Sequence, residues 1–313
     1  SFFISLVALQ PLSLHLFSSL DSHYWVRRHD VVSVPSILEV KPLKQQFDRA
    51  LLKIAEITRG RISKPQTLSD FLAYCALRLS MRTDPVHTEQ RSKTLEQLKT
   101  NYKDGEWEAF YQGSVDLCNI FVSNTEAVCY EDLFSVPFTQ VGATSGSLKQ
   151  DFTPADIGKL IGAISVPPDL LLPEEGFFSL CDHACGSGIL LLAGAQRIAD
   201  SGYNPTEQLV IQAADIDIRC VHMTYLHLSL YGIPAVIVQG DEITLHEDDR
   251  WYTPAYLWRK WIWRAPMSFG KSGYISDEKL KCFDEPIYGA YRYMEWQFTT
   301  ADVNSPADEP KTT

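Results

Sequence analysis

The sequence predicts an α/β protein, a parallel sheet built from β-α-β units behind an all-helical module. Three observations carry this reading. The run Phe177 to Cys181 is apolar and short, ends at Asp182, and is followed by a turn containing Gly186 and Gly188. Such a run suits a buried parallel strand and is too brief for a helix. Two further runs, Leu209 to Ala214 and Ala235 to Val238, also end in acids, Asp215 and, after Gly240, Asp241. Upstream, from Pro35 to about residue 130, apolar residues recur at three and four, the period of helices.

Residues 1–34 are read as an N-terminal extension and set aside. Ser1 to Leu20 is apolar but carries Gln10, Pro11 and His15, too interrupted to span a bilayer, and it lacks the basic start of a signal peptide. Residues 35–130 form the helical module. Leu43, Phe47, Ala50, Leu51 and Ile54 make one stripe that stops near Gly60. Thr67 opens a second helix carrying Phe71, Leu72, Cys75 and Leu79; Ser92–Tyr102 and Trp107–Phe121 follow. Ser123 to Ser147 reads as a hinge with a polar loop from Gly142; within it Glu131-Asp132-Leu133-Phe134 resembles the short helix that precedes the cofactor domain in the family named below. Residues 131–300 are assigned to the α/β domain. Within it, Asp156–Ala163 is a helix stopped by Pro167 and Pro168. Ile189 opens a helix closed by Gly202, and Arg219–Tyr231 a helix closed by Gly232. Glu247 to Arg250 reads as a charged loop, Pro254–Trp263 as a helix, and Tyr288 to Phe298 as a late strand. Residues 301–313 are polar and proline-rich and read as a disordered tail.

Strand, acid, glycine turn and helix N-terminus is how an open α/β sheet holds a nucleoside-bearing cofactor. The helix end offers free N–H groups, and an acid accepts from amine or hydroxyl groups. Asp215 follows Gly188 by 27 residues, the interval expected when a second strand-end acid meets a ribose. Gly-Ser-Gly alone also describes an ordinary turn; the order of the three acids lifts it above that.

Asp182-His183-Ala184-Cys185-Gly186-Ser187-Gly188 resembles the S-adenosylmethionine loop of DNA adenine-N6 methyltransferases, in particular the modification subunits of type I restriction-modification enzymes. That loop reads Asp-Pro-x-x-Gly-Ser/Thr-Gly, so His183 stands where the family has proline. Gln150-Asp151-Phe152-Thr153-Pro154 is similar to the family's Gly-x-Phe-Thr-Pro segment, which contacts the methionine end of the cofactor. The resemblance covers roughly Asp132 to Thr244. It implies a Rossmann-like S-adenosylmethionine-dependent methyltransferase fold, truncated relative to the family, since only three or four strands can be placed. It implies S-adenosylmethionine as cofactor, held by Phe152, Thr153, Pro154, Asp182, Ala184, Cys185, Gly186, Ser187, Gly188, Asp215, Ile216 and Asp241, with Asp215 on the ribose and Asp241 on the adenine amine.

The family's catalytic motif, Asn/Asp-Pro-Pro-Tyr/Phe, does not occur. The nearest match is Thr253-Pro254-Ala255-Tyr256, a degenerate set in which Thr253, Pro254 and Tyr256 are the candidate catalytic residues. A plainer reading makes Thr253 a helix cap with proline at the first helical position. Enzymatic activity by the isolated chain is therefore doubtful. The alternative is an inactive S-adenosylmethionine-binding subunit with a structural or regulatory role.

The net charge of −11 argues against this chain alone gripping DNA phosphates. DNA contact is expected through a separate specificity subunit, helped at most by the basic aromatic cluster Tyr256–Arg264. Seven scattered cysteines with no Cys-x-x-Cys pair suit a reducing cytoplasm and suggest no metal site. Cys181 and Cys185 flank the turn and are expected to pack rather than react. No membrane partner is indicated.

Overall fold

The computed structural model describes residues 42–124, 129–143, 152–167, 169–241, 243–244 and 246–265. Residues 1–34, Gln150 and Asp151, the late strand at 288–298 and the tail at 301–313 lie outside the described residues. Within them the chain is a mixed α/β protein with a four-stranded sheet.

The N-terminal helices are α1 (Leu43–Ala55), α2 (Lys64–Thr83), α3 (Thr88–Lys99) and α4 (Asp104–Val122). All four stripes read from the periodicity form helices. α2 begins earlier than expected because Ser63 caps it, accepting from the Gln66 N–H, and Pro65 suits its first turn. α1 buries Phe47, Leu51, Ile54 and Ala55 against α4, where Gly113 leaves room for the Ile54 side chain.

Next come α5 (Ser135–Gln140), α6 (Ala155–Ser165), β1 (Phe178–Asp182), α7 (Ile189–Asp200) and the short α8 (Pro205–Gln208). β2 (Leu209–Asp215), α9 (Ile218–Leu230) and β3 (Ala235–Asp241) complete two β-α-β units. Strands β1, β2 and β3 are parallel and adjacent in that order. The register places Asp182 opposite Ala213 and Asp215 opposite Gln239. The three acids therefore share one edge of the sheet, with Asp215 and Asp241 each two residues beyond the level of the acid on the strand before. At roughly 3.3 Å per residue, each step is about 7 Å.

β4 (His246–Tyr252) corrects the sequence reading of a charged loop. It runs antiparallel to β3 at the sheet edge. A strand written His-Glu-Asp-Asp-Arg-Trp-Tyr forms because its charges are neutralised in place. The buried Arg91 guanidinium of α3 binds the Asp249 carboxylate through both terminal nitrogens, donates to the Arg250 carbonyl, and stacks on Trp251 at 3.6 Å. Arg250 is gripped by Glu247 at 2.9 and 2.6 Å. Ion pairing across the fold thus overrides the low strand propensity of acidic residues.

The expected helix Pro254–Trp263 is two short ones, α10 (Pro254–Trp258) and α11 (Trp261–Arg264). They break at Lys260, which takes the left-handed conformation at φ 58°. The expected helix at Glu131–Phe134 also shifts: Asp132 lies before the helix, and its Oδ1 accepts from the N–H groups of Phe134 and Ser135. Residues 129–143, read as a hinge, bury Tyr130, Leu133, Phe134 and Phe138. One continuous buried cluster runs from Phe47 in α1 through these residues to Ile237 in β3 and Trp251 in β4.

Candidate cofactor site

The site is assembled at the acidic edge of β1 and β2. After Asp182 the chain turns through Ala184 to Gly188 and enters α7. Gly186 (φ 54°) and Gly188 (φ 85°) both occupy the left-handed region, where a side chain is strained. Space is also short: a Cβ on Gly188 would lie 3.0 Å from the Thr224 hydroxyl.

The turn is fastened from several sides. Cys185 N–H donates to the Ala214 carbonyl (2.9 Å) and Gly188 N–H to Cys185 (2.7 Å). Gly186 N–H donates to Asp215 Oδ2 at 2.9 Å, and the Thr224 hydroxyl donates to the Gly186 carbonyl. Ser187 is buried, and its hydroxyl donates to Asp132 Oδ2 at 2.6 Å. His227 Nδ1 lies 2.8 Å from the Ser187 carbonyl, while its Nε2 accepts from the Leu133 N–H. That pair of bonds fixes the neutral tautomer with the proton on Nδ1. Burial pushes the pKa of His227 down. Burial pushes Asp132 up, but its His227 and Ser187 partners and the Ser135 N–H outweigh it, and its pKa is lowered.

Asp132, Thr224 and His227 were not singled out from the sequence. Asp132 stands before a helix with two N–H groups to cap, a local signal that could have been read. Thr224 and His227 sit on α9 with no signal beyond its helical stripe.

Asp215 accepts from Gly186 and, through Oδ1, from the Asp217 N–H at 2.9 Å. Burial raises its pKa against these donors. Each carboxylate oxygen keeps a further lone pair for a ligand hydroxyl. Asp182 Oδ1 accepts from the Ala184 N–H, whereas its Oδ2 is shut off from solvent with no hydrogen-bond partner. Ile216 is 55% exposed beside Asp215, an apolar surface at the open edge. Asp241 is more open, its Oδ1 accepting from Ile243 at 2.9 Å, and that bond lowers its pKa.

Phe152 packs over the turn, its ring 3.6 Å from where a Gly186 Cβ would stand, and against Phe138 edge-on. Thr153 is half-buried and Pro154 precedes α6. α6 lies close on α7 through Gly158 against Ile189 and Gly162 against Ala193. Phe152 therefore joins Asp182, Ala184, Cys185, Gly186, Ser187, Gly188, Asp215 and Ile216 in one neighbourhood.

Thr253, Pro254 and Tyr256 do not join it. Thr253 Oγ1 accepts from the Ala235 N–H at 2.8 Å and donates to the Ile233 carbonyl at 2.9 Å. Ala235 begins β3, whereas the acids stand at strand ends. Six residue steps separate the two edges, about 20 Å. Thr253 also caps α10, accepting from the Tyr256 N–H. Tyr256 is buried, stacks on Tyr252 and donates to the Ala265 carbonyl. The plainer reading, Thr253 as a helix cap, describes what is seen, and the polar atoms of Thr253 and Tyr256 are used in packing at the opposite edge.

The basic aromatic cluster is also mostly internal. Arg259 donates to the Thr206 carbonyl and pairs with Glu207 at 3.2 Å, and Trp261 packs edge-on against Phe177. Arg264 lies over the Trp261 ring at 4.0 Å. Among the described residues, no group of three or more His, Cys, Asp or Glu is placed to hold a metal ion, and no helix is long and apolar enough to cross a membrane.

No family model and no curated protein matches the sequence. Solved structures that resemble the chain include a type I restriction-modification system methyltransferase subunit from Streptococcus thermophilus. It is 15% identical, with a TM-score of 0.35, over 66% of this chain and 60% of that one. A second is a candidate class I S-adenosylmethionine-dependent methyltransferase from Listeria monocytogenes. It is 11% identical, with a TM-score of 0.33, over 69% of each chain. This chain thus spans 60% of the length of the first.

Proposed function

We propose that the chain binds S-adenosylmethionine at the acidic edge of β1 and β2, on a Rossmann-like methyltransferase domain of a DNA adenine-N6 methylation system. The reading rests above all on Asp182 and Asp215 standing at the ends of adjacent parallel strands, beside a glycine turn already braced in the left-handed conformation. Asp215, with spare lone pairs, would take ribose hydroxyls, Ile216 would offer an apolar wall, Asp241 would accept from the adenine amine, and Phe152 with Thr153 and Pro154 would border the methionine end. Asp182 would accept from the cofactor's amine or hydroxyls. The cofactor itself would supply a methyl group activated on a sulfonium.

This chain's residues would bind and orient. The fastening by Asp132, Thr224 and His227 keeps the turn in shape before the ligand arrives, so little ordering is needed on binding. A second reading, an inactive S-adenosylmethionine-binding partner within a larger complex, is favoured by one observation. The candidate catalytic residues are buried and spent at the other edge of the sheet.

Calorimetry with S-adenosylmethionine tests the proposal. Saturable binding is expected, weakened by Asp215→Ala by about 1.5–3 kcal/mol, the worth of a hydrogen bond to a charged group. Folded protein that gives no heat at millimolar ligand overturns it. Labelled methyl transfer to DNA separates the two readings: background incorporation supports the inactive partner, and robust N6-methyladenine formation supports the enzyme.

A further inference from the structure

His183, the residue that departs from the resembled loop pattern, has a neighbour that gives it chemical meaning. On a strand, residues two apart project to the same side. Ser179, Cys181 and His183 all lie on one side of β1 and just past it, and all three are exposed. The opposite side carries Phe178, Leu180 and Asp182, with Leu180 lying against Gly194 of α7. Cys181 Sγ and His183 Nε2 are 2.8 Å apart, within hydrogen-bond reach. Nucleophile and base in contact, both open to solvent, is the arrangement that makes a thiol reactive.

The other cysteines among the described residues are different. Cys75, Cys118, Cys185 and Cys220 are buried, and burial pushes each of their thiols up, Cys118 to about 12. Cys129 is exposed, but partial burial of its thiol, reinforced by Glu131, raises it as well. The sequence expectation that Cys181 and Cys185 both pack therefore holds for Cys185 and fails for Cys181.

We propose that Cys181 and His183 form a thiol modification site on the rim of the turn, with His183 as general base and small electrophiles or peroxide as its reagents. With hydrogen peroxide the step balances as follows. The Cys181 S–H bond breaks and its proton passes to His183 Nε2. A sulfur lone pair attacks one peroxide oxygen, the O–O bond breaks, and the leaving hydroxide takes the proton from His183 as water. Sulfur is oxidised to a sulfenic acid and peroxide is reduced to water. The new S–OH stands next to Asp182, so oxidation changes the polarity of the strand end that leads into the turn. The proposal does not rest on the cofactor reading.

The test is timed alkylation of the native full chain with iodoacetamide, each cysteine followed by peptide mass spectrometry. Brief hydrogen peroxide exposure with dimedone trapping of the sulfenic acid runs in parallel. Cys181 is expected to label first among the six described cysteines and to carry the dimedone adduct. His183→Asn, an exposed change that leaves the core intact, is expected to slow Cys181 labelling by about tenfold or more, with the other cysteines unchanged. His183→Gln, which reaches similarly without a base, should behave the same way. Cys129 labelling as fast as Cys181, or a Cys181 rate indifferent to both His183 variants, overturns the proposal.

Discussion

The Ser187 hydroxyl donates to Asp132 Oδ2 at 2.6 Å, across 55 residues of sequence and with both groups buried. This single bond ties the glycine turn to the cap of α5. Through the Asp132 backbone carbonyl, which accepts from Lys44 Nζ, it reaches α1 as well. The other Asp132 oxygen holds two backbone N–H groups, so the carboxylate is a junction rather than a surface charge.

Removing that junction should be costly. Asp132→Ala leaves three donors without their acceptor, and a loss of about 3 kcal/mol in urea unfolding is expected. Ser187→Ala should cost about 1.5–3 kcal/mol. The double variant should cost less than the sum, by about 1 kcal/mol or more, because the two changes delete one shared bond. Strict additivity would mean the bond contributes nothing.

Acid should unfold the protein through two buried histidines. His222, packed edge-on against Trp251, is held at about 3 by burial and by Arg91, and His227 is lowered by burial. A histidine whose folded pKa is depressed leaves the unfolded chain with more bound protons below about 6.5. Its contribution is thus full above that pH and is lost as pH falls towards the folded value. His222 should add about 1.4 kcal/mol per pH unit to the fall between pH 6 and 4, and His227 acts in the same direction. Urea titrations of His222→Gln at a series of pH values should show a shallower slope; an unchanged slope would refute the assignment.

Thr253 should matter for stability and not for ligand binding. Its hydroxyl bonds Ile233 and Ala235 and caps α10, so the isosteric Thr253→Val should cost about 1–3 kcal/mol. S-adenosylmethionine affinity should be unchanged in the folded variant, since the loop lies about 20 Å away. A tenfold weaker affinity would show that the two edges are not independent.

Weak or no duplex binding at physiological salt is expected of the isolated chain, from its net charge of −11. Within the basic aromatic cluster Tyr256–Arg264, Arg259 is tied to Thr206 and Glu207. Residual binding should then respond to Lys260→Ala and Arg264→Ala more than to Arg259→Ala in gel shifts across a salt series. Dominance by Arg259 would place the contact surface elsewhere.

The amino-acid order by itself determined the helices of residues 43–122, strands β1 to β3, and the shared acidic edge. These follow from period and punctuation: runs of apolar residues, acids at strand ends, and glycines where the backbone must turn left-handed. Local chemistry decides such features, and local chemistry is written in neighbouring residues. The tertiary structure alone decided three others. Glu247 to Arg250 became strand because Arg91, more than 150 residues earlier, neutralises Asp249, and no local pattern encodes a distant counter-ion. Thr253 went to the far edge because β4 turns antiparallel, carrying the chain back to the start of β3. Cys181 became accessible while Cys185, four residues on, became buried. Strand alternation allowed either outcome, and only packing chose which side of β1 would meet solvent.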